Sequence, residues 1–182
     1  MQVMKAAQIM KEAYEDGGGR LTIKDSFDKA GVQAYLLPDR VIVVPGTNEF
    51  SDWTRYNLNI SRRLAGFAEM TLRPGASGTQ WHDGFLRHAE TLYDWAKGHR
   101  PKVLIGHSLG AASVQIVGAS LRVPTISFAA PKPKWGRRRF DGAEFVLNIL
   151  RTDDIVTNVP PVLFRHVGFF YRLKPQKQTP GL

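Results

Sequence analysis

The chain has 182 residues, 43% of them hydrophobic and 23% charged, with a net charge of +9 and no cysteine. That length suits one well-buried core, residues 1–182 as a single domain, and the composition excludes a disordered chain, a disulfide framework and any thiol or thiolate chemistry. The excess of cations attracts polyanions and anionic surfaces without specificity.

Taken in chain order, the first element is a helix over residues 2–16, with Val3, Ala6, Ala7, Met10, Ala13 and Tyr14 on one face and Gly17, Gly18 and Gly19 closing it. This opening carries no apolar run of signal-peptide length, and no stretch approaches the 18 apolar residues of a membrane span, so a cytoplasmic location is expected. Residues 32–37 and 40–45 read as strands joined at Pro38-Asp39, and the continuous VIVV of the second suits a strand covered on both faces. Another strand is expected at 69–73, followed by a Gly-containing loop. Phe85, Ala89, Leu92 and Ala96 define an amphipathic helix over 83–97. A short buried strand follows at 102–106, then a helix of small and apolar residues at 109–121, then strands at 125–129, 145–150 and 168–174. Strands alternating with helices imply a mostly parallel central sheet with helices on both faces, and in such sheets ligands collect beyond the carboxyl ends of the strands.

Chemistry stands at one of those ends. Gly106-His107-Ser108-Leu109-Gly110 lies between a strand and a helix, the context in which G-x-S-x-G forms a nucleophile elbow. The turn is sharp, so the residues two before and two after the serine must be small. Ser108 would stand at a helix N-terminus, where free amide hydrogens favour developing negative charge. His107 is expected to pack beneath the elbow. Other histidines read as structural (His82) or as helix-surface residues (His88, His99), and no set of side chains has metal-ligand spacing, so neither a metal nor another cofactor is expected. The cluster Lys132, Lys134, Arg137, Arg138 and Arg139 reads as a solvated helix start; a charge-driven polyanion-binding role stays open, but no specific nucleic-acid partner is expected.

Several further segments, in order from about residue 40 to 170, resemble the class 3 lipases, the fungal-lipase-like branch of the α/β-hydrolases. They are Pro45-Gly46-Thr47 with Ser51-Asp52-Trp53 and Asn57-Leu58; His82-Asp83-Gly84-Phe85; Ala129-Ala130-Pro131-Lys132 with Gly136; Asp153-Asp154-Ile155-Val156 with Pro160-Pro161; and Phe164-Arg165-His166-Val167-Gly168. The chain departs from the family in having Pro45 where arginine is usual, Ala111 for a second glycine, Asn57 one residue further from Trp53, and a short overall length. The resemblance implies a compact α/β-hydrolase fold and a serine esterase or lipase acting on an ester or lipid substrate. An anionic membrane surface is the further partner expected from the charge.

For the roles, Ser108 is the expected nucleophile. The resemblance implies Thr47 as one oxyanion residue, with the N–H of Leu109 as the other donor, and it selects Asp154 over Asp153 as the acid. It also implies a lid over residues 48–56; a fixed turn with Trp53 packed inside is the alternative. His166 is the only histidine beyond Asp154 and is therefore the expected base, although its F-x-H-x-G setting resembles a family histidine with another role. Three explanations stay open: His166 has taken the role, the chain is a truncated form of something longer, or the protein is a hydrolase-fold binding protein lacking the base.

Overall fold

The computed structural model describes residues 1–15, 18–46, 71–161 and 163–175. Among the described residues three α-helices, α1 (Val3–Glu12), α2 (Asp83–Gly98) and α3 (Ser108–Leu121), accompany eleven strands. In chain order these are β1 (Asp25–Lys29), β2 (Val32–Leu37), β3 (Val41–Val44), β4 (Leu72–Pro74), β5 (Gln80–His82), β6 (Val103–His107), β7 (Thr125–Phe128), β8 (Lys134–Trp135), β9 (Val146–Arg151), β10 (Phe164–Arg165) and β11 (Phe169–Leu173).

Seven strands make the central sheet in the order β1-β2-β3-β6-β7-β9-β11. The first two pairings are antiparallel and the remaining four parallel. Parallel pairing needs crossover connections: α2 leads into β6 and α3 joins β6 to β7, while the crossovers to β9 and β11 run through the short strands β8 and β10. All four residues of β3 are buried, and they alternate between two cores. Ile42 and Val44 join Leu104, Phe85 and Leu92 under α2 and α3. Val41 and Val43 join Ile105, Ala6 and Met10 under α1. The continuous apolar run thus reports a strand with no solvated side. Leu104 is fully buried, and truncating it to alanine would cost about 2–5 kcal/mol.

Helix α3 is the central pillar. It is apolar nearly all round, with every residue from Gly110 to Ala119 buried, as expected of a helix enclosed by other elements. A side chain at Gly118 would overlap Thr125, so the helix lies against β7 at the closest distance glycine permits. The polar groups it buries are matched. The Gln115 side-chain amide donates to the Ala111 and Pro131 carbonyls, and its oxygen accepts the Val167 N–H at 2.8 Å. This one side chain ties the helix to two loops that follow strands. Asn148, buried in β9, donates to the Val167 and Phe169 carbonyls and so fixes the entry into β11.

Three expectations need correcting. His88 is not on the helix surface: it is buried between α2 and α3, with Nδ1 at hydrogen-bond distance from the Ser113 hydroxyl. Burial pushes its pKa down to about 4. Second, residues 132–139 do not start a helix. Lys134 lies in β8, paired with β5 at Trp81 and with β10 at Arg165, in a second, four-stranded sheet β10-β8-β5-β4. Pro131 and Pro133 withhold amide donors, and Gly136 has φ +77°, which together break helical backbone there. Third, α1 ends at Glu12, before the glycines.

Candidate active site

Strand β6 delivers its chain to the elbow in extended backbone, with His107 at φ −132°, ψ 142°. Ser108 then takes φ +52° as the first residue of α3. Positive φ in a non-glycine residue is uncommon and is the strain this turn requires. A side chain at Gly106 would overlap Val114 and crowd the Gly110 carbonyl oxygen and the Ala111 Cα; one at Gly110 would overlap the Val44 carbonyl oxygen. The elbow is therefore wedged between its own helix and the end of β3, and both glycines of the motif are sterically required. Ser108 and Leu109 are half-buried. No acidic residue occupies the first turn of α3, so the helix dipole there is uncompensated and favours negative charge.

Gly46 approaches the elbow from β3. A side chain on it would lie 2.9 Å from the Ser108 Cβ and 2.9 Å from the Tyr14 hydroxyl. The next residue, Thr47, and the expected lid over 48–56 lie outside the described residues.

Tyr14 is a site residue that sequence periodicity assigned to a helix face. It stands just beyond α1 and reaches the elbow. Its hydroxyl accepts the Gly46 N–H at 2.6 Å and lies 2.7 Å from His107 Nδ1. The phenol keeps one O–H and a second lone pair for Nδ1, so the tautomer of His107 decides which of the two donates. The two rings meet edge to face with centroids 5.4 Å apart. Burial lowers the His107 pKa, and the Asp154 carboxylate opposes that shift. No local signal in the sequence marks this contact, because its partners are 32 and 93 residues away.

The two aspartates after β9 separate. Asp153 pairs with Arg151 at 2.7 Å on the exposed side. Asp154 is half-buried, accepts the Val156 N–H at 2.9 Å to cap the turn Ile155–Asn158, and acts electrostatically on His107. Gly46 and Tyr14 thus meet beside Ser108 at the His107 ring, whose pKa the Asp154 carboxylate raises.

His166 is not brought to them. Its Nε2 donates to the Ala130 carbonyl at 2.9 Å, so the nitrogen that would receive a serine proton is already protonated and engaged. Burial first, then the cations Lys132 and Arg172, push its pKa down to about 4. A base must become an imidazolium beside a carboxylate; His166 lies among positive charges, and among the described residues no hydrogen bond joins it to Ser108 or Asp154. These charges weigh against a base role, and turnover in His166→Ala decides it. His82 lies between Phe85 and Phe164, with ring centroids at 4.5 and 6.0 Å. Among the described residues no cluster of His, Asp or Glu could hold a metal ion. No helix among them is long and apolar enough to cross a membrane.

This architecture, a mostly parallel sheet with a strained serine turn between β6 and α3, is the α/β-hydrolase fold. The chain is similar to a fungal lipase solved in complex with an inhibitor, at a TM-score of 0.56 and 20% identity, covering 86% of this chain and 68% of that one. That likeness establishes the fold. No family model matches the sequence, and no curated protein matches it.

Proposed function

We propose that the protein is a hydrolase of carboxylic esters, lipase or esterase in type, working through an acyl-enzyme on Ser108. The observation that carries this reading is the positive φ of Ser108 at the head of α3, with glycines 106 and 110 packed against backbone on either side. In this mechanism the Ser108 hydroxyl adds to the ester carbonyl, its proton passes through a base to the departing alcohol, and water then cleaves the acyl ester, releasing the acid and restoring the serine hydroxyl. Negative charge on the carbonyl oxygen is received by the Leu109 N–H and by Thr47; loss of one such donor should slow the reaction about a hundredfold or more. Asp154 is the acid of the site.

A second reading is favoured by the engagement of His166 with Ala130: a hydrolase-fold protein that binds its ligand with impaired turnover. A triad without its base retains about 10³–10⁴-fold catalysis over water from the oxyanion site and binding.

One experiment separates the two. Fluorophosphonate labelling and turnover of a short nitrophenyl ester are compared in the parent, Ser108→Ala, Asp154→Asn and His166→Ala. An ester hydrolase labels and turns over, and Ser108→Ala loses both. Folded parent protein that neither labels nor turns over supports the binding reading. Labelling retained in Ser108→Ala removes Ser108 from the proposal.

The substrate partner is an ester or lipid, and the net charge of +9 supports its encounter at an anionic membrane surface. Hydrolysis on anionic vesicles at low salt should exceed that on neutral ones; equal rates would remove the surface from this reading.

A further inference from the structure

At the opposite end of α3 from Ser108, about 20 Å away by helical rise, lies a cavity of about 530 Å³ that the ester chemistry does not use. Six of the side chains lining it are cationic: Arg122 after α3, Lys134 on β8, Arg137, Arg138 and Arg139 in the following loop, and Arg165 on β10. Two carboxylates, Asp141 and Glu144, share the wall. Among the described residues none of the six cations forms an ion pair.

Lys134 is the decisive member. It is only 6% exposed, and lysine is almost never buried unless paired. Its ammonium donates to the Gly136 carbonyl at 2.7 Å and the Arg138 carbonyl at 2.8 Å. Those bonds shape the loop that presents the three arginines, but they bring no negative charge. A buried cation without a counter-charge is costly, and a third N–H remains to be used. Burial first, and then the nearby Arg165, lower its pKa, and an anion beside the ammonium would act in the opposite direction.

The walls are set by backbone. Gly142, at φ +84°, sits where any side chain would overlap the Ala119 carbonyl oxygen, and Gly168, at φ +81°, where one would overlap the Val146 and Ala143 carbonyl oxygens. The loop 136–144 and the approach to β11 are therefore held against α3 and β9, so the cations converge on a formed space. Arginine forks match phosphate oxygens in pairs, and a single negative charge would leave most of these cations uncompensated. The volume is that of a headgroup or a nucleotide-sized molecule.

We propose that this cavity binds a ligand carrying two or more phosphate groups, seated between the 137–139 loop and Arg165 over the buried Lys134 ammonium. The site is independent of the ester-hydrolase reading, and binding survives Ser108→Ala.

The test uses the full chain and inorganic tripolyphosphate as probe, followed by titration calorimetry. The paired variant Arg137→Gln/Arg139→Gln and the single variant Arg165→Gln alter exposed side chains. The control Lys5→Gln/Lys11→Gln removes the same charge as the pair from α1. Saturable one-to-one binding is expected, weakened about tenfold or more by either cavity variant and less than about twofold by the control. Equal losses in the paired variant and the control, or no saturable binding, would overturn the proposal. Vesicles containing phosphatidylinositol bisphosphate distinguish the source of the phosphates. Vesicle binding that tripolyphosphate displaces identifies a lipid headgroup; tripolyphosphate binding without vesicle binding identifies a soluble phosphorylated ligand, and both support the site. Duplex DNA bound with affinity that rises with length and is not displaced by tripolyphosphate would overturn it in favour of an open polyelectrolyte surface.

Discussion

Two histidines in this molecule occupy opposite electrostatic settings. His107, beside the elbow, is held by the Tyr14 hydroxyl and feels the Asp154 carboxylate. His166, on the return toward β11, is held by a backbone carbonyl and feels Lys132 and Arg172. Both are half-buried and both are disfavoured as cations by desolvation, but a carboxylate offsets that at the first and further positive charge adds to it at the second. The difference teaches that position in the chain order nucleophile, acid, histidine does not by itself make a base: the charges facing the ring decide whether it can take a proton.

The largest expected effect concerns pH. The half-buried His166 and the buried His88 have folded pKa values near 4, below the ordinary value of 6.5. Between those values the unfolded chain binds more protons than the folded one, so stability is full above about pH 6.5 and declines toward pH 4, by up to about 3 kcal/mol for each ring. Urea unfolding midpoints across that window measure it. His166→Gln should flatten the slope by its share, and an unchanged slope would show the ring to be solvated and the contrast with His107 to be false.

Next in size is the elbow wedge. Gly110→Ala forces a methyl group into the Val44 carbonyl and should cost about 3 kcal/mol, read as a lowered thermal midpoint. Tyr14→Phe comes third. It removes the acceptor of the Gly46 N–H and the hydroxyl partner of His107 Nδ1 in a partly exposed setting, at about 0.5–1.5 kcal/mol. Because these groups border Ser108, the same change should slow fluorophosphonate labelling about tenfold, a readout that loss of stability alone does not move in folded protein. The smallest effect sharpens the comparison most. His166→Ala should change the labelling rate by less than about twofold, since the ring is engaged elsewhere; a fall of a hundredfold would restore it as the base.

Much of this fold was readable from residues alone, for definite reasons. VIVV in β3 and the apolar residues of α3 are surrounded on all sides, so their hydrophobicity is continuous and unambiguous. The elbow was readable because its geometry forces glycine at two fixed offsets. Strand β1 was not: DSFDK is an edge strand with four exposed residues, and no alternation marks it. The two-residue strands β8 and β10 lie below the length at which periodicity has meaning. His88 and Lys134 misled because polar residues default to the surface, whereas here each is enclosed by contacts distant in sequence, His88 by Ser113 and Lys134 by the strands of Trp81 and Arg165. Tyr14 belongs to the same class, since its bonds to Gly46 and His107 are tertiary events.

That last contact gives the amino-terminal helix a hold over a distant turn. Deleting the first fifteen residues, or displacing them with a bulky fusion, would leave every atom of the G-x-S-x-G segment intact and still unfasten it. Amide exchange at position 46 would then speed up in step with fraying at the chain's beginning, making one backbone proton a gauge of both.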